Sequence, residues 1–429
     1  MANDKPFDVA SYMPRFDVRS AEFTAHHNEI ISYLPTNCPV FKATSHFGLQ
    51  PEPATMIASY EGIMQTARDY RIMSSAPTEQ ELALAKARLA PLTLPSFSDP
   101  PTQLDYRRII QPFVSPKAAM AMRAEVHDLV TKLIDRFIER GSMDLVQDIA
   151  QPLSAIVTMR VTGLPIEKWH YYSDPVHRLL WRDGDQVALR TELAALLQEL
   201  RAEISRQRNS PEATGVMATL KDKQVDGRPI EEWEVEGMIW LMILGGVDTT
   251  QALLGSAFVH LGRSALHRQQ LIDDPAIIPD AIEEYLRFNA PVLFTRRRTM
   301  VDTQVEGHQL RAGETTLMCW AAANRDPRAF ANPNEVDFNR ENKQHLTFSV
   351  GPHVCLGAHV ARMEMRVVVE EVFKRLPDFK LDEPNLVFAP DVGLIYGYKA
   401  VPVSFTPGAK SGSDLTEVNR LVEPYRSAK

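Results

Sequence analysis

Residues 347–359 read "TFSVGPHVCLGAH", and within them Phe348, Gly351, His353, Cys355 and Gly357 form the pattern F-x-x-G-x-H-x-C-x-G. A free cysteine is most often a small buried hydrophobe. Here, however, glycines on both sides let the backbone turn sharply and approach a flat ligand closely. The run that begins at the cysteine, "CLGAHVARMEMRVVVEEVFKRL", carries apolar residues at helical spacing. A helix starting there aims its first amides at the sulfur, a partial positive charge that favours a thiolate. Phe348 is placed to pack against the ligand and limit water. One thiolate in such a frame suits an axial ligand of haem iron whose opposite face stays open.

The other two cysteines, Cys38 and Cys319, lack this frame and read as core. Three cysteines with no C-x-x-C pair argue against a disulfide framework or a zinc site and favour a reducing compartment. A formal charge of −8 argues against nucleic-acid binding, which needs a basic surface. The N-terminus "MANDKPFDVASYMPRF" has no signal-peptide pattern. The most apolar run, residues 237–262, is divided by Asp248 into pieces of 11 and 14 residues. Each falls short of the roughly 18 needed to span a bilayer. A cytoplasmic protein with no membrane segment is expected.

With 429 residues, 44% of them hydrophobic, the chain can build a core large enough to enclose a sizeable ligand. Residues 1–115 read as loops, short helices and strands, with "APLTLPSFSDPP" as an extended connection. Helical periodicity dominates 116–270. One helix is expected to end at Gly141, another at Arg208, and a long one to run from about Glu231 to Arg263. At about 1.5 Å per residue that last helix is roughly 50 Å long. Strands are expected near 303–320 and in "AVPVSF". The reading is a mainly α protein with a smaller β-rich portion, one catalytic domain over 1–408, and a polar, loosely held tail over 409–429.

Inside the long helix, "LGGVDTT" (244–250) places Gly245, Gly246, Asp248, Thr249 and Thr250 among apolar neighbours. Mid-helix glycines cost about 1 kcal/mol each relative to alanine. An aspartate in an apolar segment needs a partner or a task. Elsewhere "EEYLR" sets Glu284 and Arg287 one turn apart, and "FANPNEVDFNR" supplies Arg340.

Taken in this order, the motifs resemble those of the cytochrome P-450 superfamily of haem-thiolate monooxygenases. "GLIYGYKAVPVSF", "DYRIMSS" and "DGRPI" are similar to its soluble bacterial, camphor-hydroxylase-like group, over about residues 60–406. The resemblance implies haem b held between the long central helix and the cysteine loop and its helix, with Cys355 as the iron's axial ligand. It implies that Asp248 relays protons and Thr249 hydrogen-bonds the oxygen being activated. Gln103, Arg107, Arg297 and His353 are implied to hold the haem carboxylates. Phe348 and Gly357 are implied to frame the haem, and Glu284, Arg287 and Arg340 to brace the cysteine loop. Pocket linings are expected from Leu241, Leu244, Gly245, Val292, Leu293, Phe294, Leu394 and Ile395, around a small terpenoid or aromatic lipophile. The segment over the pocket, "SAPTEQELALAKARLAPLTLPSFSD", lacks the tyrosine with which the camphor enzyme holds a ketone. Oxygen and electrons from a [2Fe-2S] ferredoxin with its NAD(P)H-dependent reductase are implied. The ferredoxin would dock near Arg107, Arg108 and Arg362. Peroxide-driven chemistry, or a haem protein without turnover, are the alternatives.

Overall fold

Asp248 breaks the long helix. In the computed structural model, which describes residues 7–46, 51–182, 184–389 and 395–426, Glu232–Val247 and Thr249–Arg263 are separate helices meeting at Asp248 (φ −104°, ψ −21°). The combined run is apolar and long enough to cross a bilayer by composition, yet 67% of its most apolar window is buried inside the protein. It is a core helix, and protein rather than lipid covers it.

The chain divides into two compact units. One comprises Pro77–Ile282, Cys355–Phe388 and Gly397–Lys429. Its main helices are α1 (Thr102–Val114), α2 (Pro116–Asp135), α3 (Gln151–Thr162), α4 (Trp169–Trp181), α5 (Gln186–Arg208), α6 (Glu232–Val247), α7 (Thr249–Arg263), α8 (Ala358–Arg375) and α9 (Thr416–Arg426). Helix α3 is buried along almost its whole length and packs on α6, while α7 touches the cysteine helix α8. A β-carbon added at Gly246 would lie 2.2 Å from Thr158 Oγ1, so only glycine permits the α3–α6 approach. Helix α5 ends at Arg208, as the Asn-Ser-Pro that follows requires.

Besides the break in the long helix, two expectations for this unit differ from the structure. Helix α2 stops at Asp135, not Gly141, and the chain reaches Gly141 (φ +72°) through turns. The tail is not loosely held. Its helix α9 buries Val418 and Val422, Trp169 Nε1 donates to the Leu421 carbonyl at 2.9 Å, and the Ser411 amide donates to Asp135 at 3.0 Å. The cause is an i,i+4 valine pair, an apolar stripe too short to stand out in a polar sequence.

The other unit comprises Met1–Ala76, Glu283–Val354 and Ala389–Tyr396. Strands β1 (Val40–Ser45), β2 (Glu52–Ile57), β3 (Met73–Ser74), β4 (Phe294–Thr299) and β5 (Thr315–Cys319) form one sheet in the order β1-β2-β5-β4-β3. Only the β2–β5 pair is parallel. The first 115 residues are more helical than expected: Ala21–Asn37 is a 17-residue helix capped by Ser20.

Glu364 of α8 is fully enclosed. Burial pushes its carboxyl from 4.5 up to about 8, against the opposing pull of the Ser154 hydroxyl, which donates to it at 3.2 Å. Between those values the folded chain holds a proton that the unfolded chain releases, so stability falls as pH rises through that window. Glu364→Gln is expected to remove this slope and to gain about 3 kcal/mol over the parent near pH 7. Urea denaturation at pH 5 and pH 8 checks it; parallel pH slopes for the two proteins would contradict it.

Candidate active site

Cys355 lies three residues before α8, whose N-cap is Gly357. The backbone amides of Gly357 and Ala358 bond the sulfur, and the Arg107 and Arg362 cations add to their pull. Desolvation nevertheless wins: the thiol is pushed above its ordinary range. A metal cation at the sulfur would favour its anion, in the same direction as those amides and arginines. Surrounding protein desolvates the sulfur, yet Cys355 keeps accessible surface. Among the described residues, its chain neighbours aside, a β-carbon added at Gly357 would meet Cys355 Sγ at 3.9 Å. By contrast Cys319 is sealed in the core, its thiol pushed up to about 12 by burial.

The same unit carries the helix break. Along α6 the flanking Ile243 and Val247 are buried, whereas Leu241, Leu244 and Gly245 are not. Spaced i, i+3 and i+4, these three share one face of the helix, Leu241 and Leu244 half-buried and Gly245 exposed, while Met242 and Gly246 beside them are also only partly covered. Among the described residues, nothing beyond its chain neighbours and its own helix backbone lies within 4 Å of a β-carbon built at Gly245. The two glycines thus have different tasks: Gly246 admits α3, and Gly245 leaves space. Thr249 Oγ1 donates to the Gly245 carbonyl at 2.6 Å. Asp248 has a partner that sequence reading missed: its fully buried carboxylate lies 2.8 Å from His177 Nδ1 of α4. A separation of 71 residues leaves no local signal for this pair.

On α1, Gln103 is buried and Arg107 half-buried. Burial lowers the Arg107 pKa, and the nearby Cys355 acts in the opposite direction. Arg108, expected on a docking face, is exposed but tied to Asp105 at 2.7 Å.

In the other unit, Arg297 of β4 is almost fully buried, donating to the Arg296 carbonyl at 2.7 Å and to Thr295 Oγ1 at 3.4 Å. Phe348 and His353 are partly buried, and Gly351 (φ +66°) sits where a β-carbon would come within 2.8 Å of Arg68 Cα. Glu284 accepts two bonds from Arg287 at 2.7 and 2.8 Å and two from Arg340 at 3.0 and 3.1 Å, all three residues being buried. The path from this network to the cysteine loop runs through Asn324, which sequence reading also missed. Arg287 donates to the Asn324 carbonyl at 2.9 Å; the Asn324 side chain accepts from the Leu346 amide at 2.7 Å and donates to Thr347 Oγ1 at 2.8 Å.

The expected pocket residues of this unit fare unevenly. Leu293 and Phe294 are packed into its apolar core, and the buried Ile395 bridges to the partly covered Val292. A strand's inward residues read the same in sequence whether they meet protein or ligand, and here Leu293 and Phe294 meet protein side chains. Leu394 lies outside the described residues.

Within the helical unit alone, a lone cysteine in a glycine frame lies just before a helix, a threonine and an aspartate sit at a helix break, and a half-buried arginine acts on the cysteine. The family model for cytochrome P450 matches residues 167–387. A steroid C26-monooxygenase of Mycolicibacterium smegmatis is 32% identical over 322 residues, 72% of this chain and 79% of that relative. A vitamin D3 dihydroxylase of Streptomyces griseolus is 29% identical over 86% of this chain and 91% of its own length. The structure of a myxobacterial cytochrome P450, CYP267B1, in complex with myristic acid superposes with a TM-score of 0.80 at 25% identity, covering 90% of this chain and 98% of that one. The chain belongs to the cytochrome P450 family and is a P450 monooxygenase, a family that uses haem b. The donor set described above fits that group.

Proposed function

We propose that this protein, acting in the cytoplasm through one catalytic domain over residues 1–408, hydroxylates an unactivated C–H bond of a small lipophile, a terpenoid or an aromatic. Electrons come from a [2Fe-2S] ferredoxin and its NAD(P)H-dependent reductase. The observation that carries the reading is the incompletely covered face of Leu241, Leu244 and Gly245, which runs into Thr249 and Asp248 at the helix break. Bound haem would supply oxygen activation, and Cys355 would hold its iron. Arg107 and Gln103, and likewise Arg297 and His353, would hold its carboxylates. Leu241 and Leu244 bind substrate by apolar burial, worth about 25 cal/mol per Å². Asp248 and Thr249 hold and direct protons on the open side.

The relatives' names point to steroids and vitamin D3, so ring size is the open variable. The test is a spectral screen of terpenoids, simple aromatics and steroids for displacement of the distal water. Ferredoxin-supported turnover of the hits follows. A terpenoid or aromatic giving product coupled to NAD(P)H oxidation supports the reading; tight binding and turnover of steroids alone overturn the substrate class. Absence of any coupled product would favour a carrier or sensor.

Thr249→Ala is expected to leave substrate binding within about twofold while diverting most electrons to peroxide, since it removes a proton-directing hydroxyl and little apolar area. Product and peroxide yields per NAD(P)H check this. Unchanged coupling would remove Thr249 from the assigned role.

A further inference from the structure

Asp248 is held by one oxygen only. Its Oδ1 meets His177 Nδ1 at 2.8 Å, while its Oδ2 is buried and has no hydrogen-bond partner among the described residues. The carboxylate is at 0% exposure, whereas the imidazole keeps 15%. His177 lies on α4, a different helix from the break, and α4 packs directly on α6. The groups around it are otherwise engaged or distant. Arg178, the next residue, is committed to Glu192 of α5. The Trp181 ring lies 5.6 Å from the imidazole, and Lys399 Nζ lies 5.8 Å from the Trp181 ring.

A charge-assisted N–H to carboxylate bond is short and strong, and with the Asp248 backbone held between two helices it restricts how the carboxylate can turn and hence where its second oxygen points. We propose that His177 is the positioning residue for Asp248: by donating from Nδ1 to Oδ1 it sets where Oδ2 points at the helix break. It thereby governs how electrons partition between product and peroxide. This rests on the oxygen-activation reading of Asp248, and the experiment separates the two.

Three proteins are compared with a lipophile that wild type turns over: wild type, His177→Leu and His177→Gln. His177→Leu is expected to keep the substrate-induced spin-state shift with its midpoint within about twofold, and to lose coupling about tenfold or more, with peroxide rising in step. His177→Gln retains an N–H donor and is expected to recover most of that coupling. A leucine variant as well coupled as wild type, or a glutamine variant as uncoupled as leucine, overturns the proposal. Independently of turnover, NMR of protein labelled with ¹⁵N-histidine is expected to show a hydrogen-bonded Nδ1–H at His177 that Asp248→Ala abolishes. An unchanged signal overturns the assignment even if the leucine variant does not fold. If wild type itself gives no product while the NMR signal behaves as expected, the oxygen-activation reading fails and the pairing stands.

Discussion

Cys355→Ala is expected to abolish monooxygenase turnover, whereas Cys319→Ala and Cys38→Ala keep it. Two facts separate the three thiols. Cys355 alone has both helix-terminal amides and two arginine cations directed at its sulfur while retaining accessible surface. Cys319 is a core residue, and its loss costs packing, at most a few kcal/mol for so small a side chain. Thiolate donation is the electronic term that favours O–O cleavage in this family of sites, and alanine cannot supply it. The measurement is product formed with saturating ferredoxin and reductase, normalised to haem content. Turnover by Cys355→Ala at even a tenth of the parent rate, to order of magnitude, would assign the ligand wrongly.

Glu284→Ala is expected to be the most destabilising single change in the chain outside the apolar core. Its carboxylate lies between Arg287, 1% exposed, and Arg340, 6% exposed. It also accepts from the Asp337 amide at 2.9 Å. Removing it leaves two buried guanidinium groups facing each other, and breaking a buried pair this way costs about 3–5 kcal/mol. Native proteins have only about 5–15 kcal/mol in total. The variant should express poorly or melt far below the parent, and Glu284→Gln, which keeps the acceptor oxygen, should fall between. Because Arg287 also holds Asn324, which holds Leu346 and Thr347, haem retention should fall together with melting temperature. A melting temperature for Glu284→Ala within a few degrees of the parent would show the network to be dispensable.

The sequence made the local chemistry legible and left the long-range pairing hidden. The glycine frame of Cys355 and the Glu284–Arg287 turn are short-range patterns and appear where spacing puts them, whereas periodicity read one continuous helix through Asp248 and the structure divides it there. Asp248 announced that it needed a partner, but nothing near it could show that His177 is that partner. Asn324 was silent for the same reason: its role lies in bridging two stretches of chain. Leu293 and Phe294 show the converse. Their apolar character is the same in core or pocket, and only packing decides which.

The sulfur of Cys355 is expected to hold haem iron as an anion. This is read from the absorption spectrum of the reduced wild-type protein under carbon monoxide, purified after expression with ample haem supply. The strongly red-shifted Soret band of a thiolate-ligated carbonyl complex is expected. A band at the position given by nitrogen ligation, or a colourless protein, would contradict it.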